Sequence, residues 1–212
     1  MSFRTVYGNT ISENGWRMCN RDECDIVKIK DLFLVDTAPL RKGAPLTILG
    51  AWLYWYDRNV EEITSPVWGW SATNDVANSN HLSGTAVDIM APKYPWQRYT
   101  MNAATQAKVR RGLELFEGTV FWGRDWSRPD EMHYQMAFRE GDPRNEAFAR
   151  KLQDGYLGIW KAAPPAPVKV WPQTATDREL LEYIAEQLGP GHPTWASKGS
   201  TLRDKLWSLV GR

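Results

Sequence analysis

Three prolines in four residues, Pro164 to Pro167 within "KAAPPAPVKVWPQ", constrain this chain more than any other stretch. A proline ring fixes φ and removes a backbone donor, so neither a helix nor a central strand runs through such a cluster. The spacing reads as an extended, semi-rigid linker. It divides the 212 residues into a main domain over 1–161, a linker over 162–172 and a C-terminal segment over 173–212. The main part is long enough for one hydrophobic core. In the C-terminal segment, Thr176 followed by Glu179 has the pattern of a capping box. Leu180, Ile184 and Leu188 form a stripe there, "GPG" (189–191) ends the helix, and a second amphipathic helix is expected from about Ser200 to Val210. Two such helices bury too little apolar area alone. The segment must therefore pack on the main domain, pair with another copy or bind a partner.

Within the main domain the periodicity changes several times. From Pro45, "PLTILGAWLYWYDRNVEEI" places Leu49, Leu53, Tyr56 and Val60 at helical spacing, and Thr64, Ser65 and Pro66 end the run. "VWGW" (67–70) reads as a short strand. "TAVDIM" (85–90) is β-branched and alternating, a strand that begins after the Gly84 turn. "NAATQAKVRRGLELFEG" (102–118) reads as a helix with Val109, Leu113 and Phe116 on one face and Gly118 as its stop. "TVFW" (119–122) follows as another strand. "DIVKIKDLFLVD" (25–36) has no clean period and its type stays open.

Composition excludes several classes of function. A net charge of +1 gives no electrostatic case for a nucleic-acid partner. No apolar run approaches the ~20 residues of a membrane span, and "MSFRTVYGNTISENGW" lacks the hydrophobic core of a signal peptide. The expectation is a chain made in the cytoplasm that leaves only if another protein opens the way. Two cysteines, Cys19 and Cys24, are too few for a disulfide framework and lack partners for a zinc knuckle, so reduced, inert thiols are expected. Most of the twelve tryptophans are expected in the core. A minority could line a groove for a sugar or peptide, because flat rings bury much area at low entropy cost.

The chain has only three histidines. His81 lies in "SNHLSGTAVD", seven residues before Asp88. On a continuous helix that separation is about 10.5 Å of rise, too far to share a metal. A turn at Gly84 would fold His81 back beside a strand carrying Asp88, and Ala86 keeps the space between them small. With His133, in "RPDEMHYQM", the set becomes two imidazoles and one carboxylate. That set leaves the fourth tetrahedral position of a zinc ion open, as catalytic zinc sites do. A lone histidine is more often a hydrogen-bonded core or surface residue, and His192 in "GPGHPTW" reads that way.

"SNHLSGTAVD" matches S-x-H-x-x-G-x-A-x-D at Ser79, His81, Gly84, Ala86 and Asp88. It resembles the first zinc signature of the D-alanyl-D-alanine carboxypeptidase and VanX-like metallopeptidases. "FWGRDWSRPDEMHYQM" looks like the second signature as phage endolysins with L-alanyl-D-glutamate peptidase activity carry it, roughly W-G-G-D-W and then D-x-P-H-F. Trp122, Gly123, Asp125, Trp126, Asp130 and His133 match, whereas Arg124 replaces a glycine, Met132 the proline and Tyr134 the phenylalanine. "GWSATNDVANSNHLSGTAVDIMAPKYPW" and the C-terminal segment also resemble lysin A proteins of phages that infect mycobacteria. The resemblance covers about residues 45–140.

The resemblance implies an α+β fold: a small antiparallel sheet carrying the zinc site, flanking helices and a short C-terminal helical pair. It implies Zn2+ as cofactor, held by His81, Asp88 and His133, with Asp130 as the catalytic acid/base. It implies bacterial peptidoglycan as the macromolecular partner, with a holin giving access through the membrane. Ser79 is expected to support the loop, since no base is placed to activate it as a nucleophile. Two points stay open. On a regular strand Glu131, not Asp130, would share a face with His133, although Pro129 argues for a loop that frees Asp130. Relatives also carry a substrate-binding arginine where Ser71 stands here, leaving Arg58, Arg124 or Arg128 as replacements.

Overall fold

In the computed structural model, residues 4–27, 38–161 and Asp177 are described. Apart from Asp177, the linker and helical pair expected over 162–212, His192 included, lie outside the described residues, as does most of "DIVKIKDLFLVD".

The described residues form an α+β unit with five short strands and three helices. β1 (Cys24–Ile26) and β2 (Pro39–Arg41) make an antiparallel pair. Helix α1 (Ala44–Asn59) follows, with proline in its first turn, where the missing N–H costs nothing. β3 (Ala86–Asp88), β4 (Val120–Trp122) and β5 (His133–Met136) build a second antiparallel sheet in the order β3-β5-β4. Helix α2 (Ala103–Leu115) lies between β3 and β4 in sequence and is capped by the Asn102 side chain, which accepts from the Thr105 N–H. Helix α3 (Pro143–Gln153) starts in the same way at Asp142. No helix among the described residues is long and apolar enough to cross a membrane.

Alternation along β5 sets the two sides of the site-bearing sheet. Tyr134 and Met136 point into the core, where Trp122 lies parallel to Tyr134 at 6.0 Å. Trp52 and Tyr56 of α1 close over Tyr134 at 5.2 and 5.7 Å. Phe116, just past α2, meets Trp52 edge-on at 5.1 Å. These rings are almost fully buried, and each large apolar side chain contributes about 1.5–3 kcal/mol on burial. The opposite alternation sends His133 and Gln135 to the other face, in register with Asp88 and Ala86 of β3. A rigid aromatic core thus backs the face that carries the titratable side chains.

The expected α1, α2, β3 and β4 are present with slightly tighter bounds. "VWGW" makes only a single bridge, Trp68 to Asp88, rather than a strand. Gly69 within it lies against β2, where an added Cβ would come within 2.4 Å of the Pro39 carbonyl oxygen. Cys19 and Cys24 are buried free thiols, 3.6 Å apart at sulfur.

Candidate metal centre

His81 sits on a single 3-10 turn, Asn80–Ser83, capped by the Ser79 hydroxyl, which accepts the His81 N–H at 3.3 Å. Gly84 ends the turn at φ +67°, a left-handed conformation that favours glycine. Space excludes other residues too, since a Cβ there would lie 2.9 Å from both the Arg41 nitrogen and the Cys24 sulfur. This reversal returns the chain along β3 and brings His81 back against Asp88. On the other side, β5 pairs directly with β3, placing His133 opposite Asp88.

The three side chains converge. His81 Nε2 lies 3.2 Å from Asp88 Oδ1 and 3.3 Å from His133 Nδ1, and His133 Nδ1 lies 3.0 Å from the same oxygen. All three residues are buried. Donors about 2.0–2.1 Å from a tetrahedral metal stand about 3.3 Å apart, so the triangle has the dimensions of three corners of a zinc tetrahedron.

The surrounding hydrogen bonds decide what these atoms carry. His81 Nδ1 faces the Gly69 carbonyl oxygen at 2.7 Å, which only accepts, so that nitrogen bears the proton and Nε2 is a lone pair. The Glu13 carboxylate accepts from the Gln135 amide nitrogen at 3.1 Å and from the Asn80 amide nitrogen at 3.0 Å. That turns Gln135 Oε1 toward His133 Nε2, 3.0 Å away, and the proton on Nε2 leaves Nδ1 as a lone pair. With both imidazoles neutral, two lone pairs and a carboxylate oxygen therefore face one another with no proton between them. Such a set is satisfied by a cation, and outer partners that fix the tautomer are the usual support of metal-binding histidines. Burial alone would lower the His81 pKa and raise that of Asp88. Their mutual attraction outweighs it in both cases: His81 is raised, and Asp88, held by both imidazoles, falls well below the usual carboxylate range.

The two acidic residues before His133 separate clearly. β5 begins at His133, so Asp130 and Glu131 lie in the preceding turn and not on a strand. Glu131 is fully buried and points away from the triangle. Its Oε2 accepts the backbone N–H groups of Thr100 and Met101 at 2.6 and 2.7 Å, and Arg124 Nε reaches its Oε1 at 3.3 Å. Asp130 lines the same cleft as the triangle, and its buried Oδ1 has no hydrogen-bond partner. Burial, with Asp88 adding to it and the histidines opposing, pushes its carboxyl up to about 6. Gly123 makes this turn possible: its carbonyl accepts the Asp130 N–H at 3.0 Å, and a Cβ would come within 2.9 Å of the Asp130 carbonyl oxygen.

The cleft, about 600 Å³, is lined by Glu13, Trp68, Trp96, Arg128 and Met132 besides the triangle and Asp130. Of the three candidate substrate arginines, Arg128 lines it. Arg124 is engaged with Glu131 and lies over Tyr99, and Arg58 lies over Tyr54 beside Asp57. Ser71 donates its backbone N–H to the His81 carbonyl at 3.2 Å, while its hydroxyl is buried without a partner. Trp126 packs on the His133 ring at 4.9 Å.

Glu13, Asn80 and Gln135 were missed in the sequence. Gln135 was within reach of it, being two residues from His133 on a strand and so on the same face. Asn80 sits inside the first signature. Nothing local marks Glu13.

No curated protein and no solved structure matches this chain. A family model described as D-alanyl-D-alanine carboxypeptidase matches residues 72–136, a span that holds the whole triangle and Asp130, and that match supports a peptidase acting on peptidoglycan.

Proposed function

We propose that this chain is a zinc-dependent peptidase of the bacterial wall, acting as a phage endolysin that cuts the stem peptide between L-alanine and D-glutamate. The observation that carries the proposal is the convergence of two imidazole nitrogens and a carboxylate oxygen beside a second buried carboxylate whose Oδ1 has no hydrogen-bond partner. His81 Nε2, His133 Nδ1 and Asp88 Oδ1 would hold the ion, and their donor chemistry and spacing fit it. When bound, a zinc ion supplies Lewis acidity toward a carbonyl and lowers the pKa of water toward ~7.

The remaining work falls to the chain's own groups. Asp130, with no competing hydrogen bond on Oδ1, takes the proton of the attacking water and returns it to the leaving amine. A pKa held near neutrality suits both halves of that transfer. Trp126 and Met132 border the site and restrict water. Arg128, at the rim, offers a guanidinium to a substrate carboxylate. In this reading residues 173–212, beyond the 162–172 linker, dock the enzyme on the wall or on another subunit, and entry to the wall follows membrane permeabilisation by a holin.

The test is digestion of a defined muropeptide with chelator, with zinc restored, and with Asp130→Asn. Masses corresponding to cleavage after L-alanine, abolished by chelator and by the variant, are expected. A chelator-insensitive product would overturn the assignment. The description of the matching family favours a second reading, removal of terminal D-alanine. Release of a single alanine, with the rest of the stem intact, would decide for it.

A further inference from the structure

Nine of the twelve tryptophans lie among the described residues, and seven of these are buried or half-buried. The two exposed ones, Trp68 at 54% and Trp96 at 45%, both line the cleft of the metal centre. Leaving these rings in water at one site, when the other described tryptophans are buried or half-buried, marks a surface built for a ligand. Backbone hydrogen bonds fix the chain at or beside each of them. Trp68 exchanges two hydrogen bonds with Asp88, at 2.8 and 3.2 Å. Trp96 follows Pro95 and precedes Gln97, which has φ +61° and donates its N–H to the Pro129 carbonyl at 2.8 Å. One ring is thus registered to a metal-ligating residue and the other to the neighbour of Asp130.

The same lining carries amides, a hydroxyl, a guanidinium and a carboxylate, from Asn74, Asn78, Ser127, Arg128 and Asp75. Flat indole faces in a lining that also offers side-chain amides suit a pyranose, whose C–H face stacks while its hydroxyl and acetamido groups hydrogen-bond. An extended peptide adding to the sheet would need a free strand edge. At Asp88 that edge is already taken by Trp68.

We propose that Trp68 and Trp96 form a sugar subsite that holds the N-acetylmuramoyl ring bearing the stem peptide. The proposal rests on the peptidase reading and sharpens it. In peptidoglycan the stem starts with L-alanine on the lactyl group of this sugar. The L-alanyl bond is then one residue, about 3.5 Å of chain, from the sugar, whereas a terminal D-alanyl bond is roughly four times farther. A subsite adjoining the metal centre therefore selects the first bond of the stem.

Two readouts test it on the full-length protein. The first is calorimetric binding of glycan strands stripped of their peptides. The second is the ratio of kcat/KM on N-acetylmuramoyl-tripeptide to that on the same tripeptide without sugar. Trp68→Ala and Trp96→Ala are each expected to weaken glycan binding and lower that ratio by about three- to tenfold, the range for one aromatic contact. The Phe variants should recover part of the loss. Absence of glycan binding, together with equal kcat/KM on the two substrates, would overturn the subsite and leave the peptidase reading intact. Glycan binding that the variants lose, with neither substrate cut, would uphold the subsite and remove the peptidase reading.

Discussion

Replacing the two adjacent carboxylates before His133 should give opposite phenotypes, because the structure makes opposite use of them. Glu131→Ala removes the acceptor for the Thr100 and Met101 N–H groups, held at 2.6 and 2.7 Å. A buried, abandoned donor costs about 1–3 kcal/mol. The Met101 N–H bears that cost in full, while Thr100 is exposed and recovers some hydration. The net expectation is a loss of about 3 kcal/mol, or about 6–12 °C in Tm for a domain of this size. Glu131→Gln keeps one acceptor but sets its amide nitrogen against Arg124, so a smaller loss of about 1–2 kcal/mol is expected.

Asp130→Asn runs the other way. The folded protein raises this carboxyl from 3.8 to about 6, so ionisation opposes folding above about pH 6 by an amount on the order of 3 kcal/mol. A pKa raised on folding adds stability that is complete below the unfolded value of 3.8 and lost as pH rises through about 6. Removing the charge in metal-free protein at pH 7.5 should therefore leave stability unchanged or raise it, while muropeptide cleavage is lost. Urea denaturation with chelator present, followed by cleavage assays on the zinc-loaded proteins, measures both. Glu131→Ala melting within about 2 °C of the parent, or Asp130→Asn losing more than about 1 kcal/mol, would refute this division of roles.

Gln135→Leu should weaken zinc by about 10–100-fold, since it frees the His133 tautomer that Gln135 and Glu13 impose; competition with a chromogenic chelator reads this, and unchanged affinity would mean that the outer bonds do not matter. Zinc retention should fall as pH drops, because protons compete for the His81 and His133 lone pairs and the Asp88 charge raises the His81 pKa above its ordinary value. Zinc measured after dialysis at a series of pH values should show that loss, and uniform retention down to pH 4 would contradict it. Gly112→Ala should destabilise despite the usual helix-propensity gain of about 1 kcal/mol. The new Cβ would stand 2.2 Å from the Trp55 ring and 2.8 Å from that of Trp52, and overpacking costs about 1–3 kcal/mol. A more stable variant in urea would show that the α1–α2 contact yields freely.

How much of this was legible in the sequence follows from the range of each interaction. Local signals read well. Gly84 announced the turn that returns His81 to Asp88, and helical spacing from Pro45 gave α1. Pro129 announced the loop that separates Asp130 from β5. The motif position and Pro129 favoured Asp130 over Glu131, but what occupies Glu131 could not be read, because its partners are the N–H groups of Thr100 and Met101, about thirty residues earlier. The same holds for "VWGW". Its residues suit a strand, yet after its single bridge to Asp88 the chain turns to β2, where Trp70 donates its N–H to the Pro39 carbonyl at 2.7 Å. Glu13 is the extreme case. It lies in a stretch with no periodicity, and its one clear task, orienting Gln135 and Asn80, joins residues 122 and 67 positions away. Motifs expose ligands because ligands sit at fixed local spacing. The groups that fix a ligand's proton come from wherever the fold brings an acceptor, so reading them requires the fold.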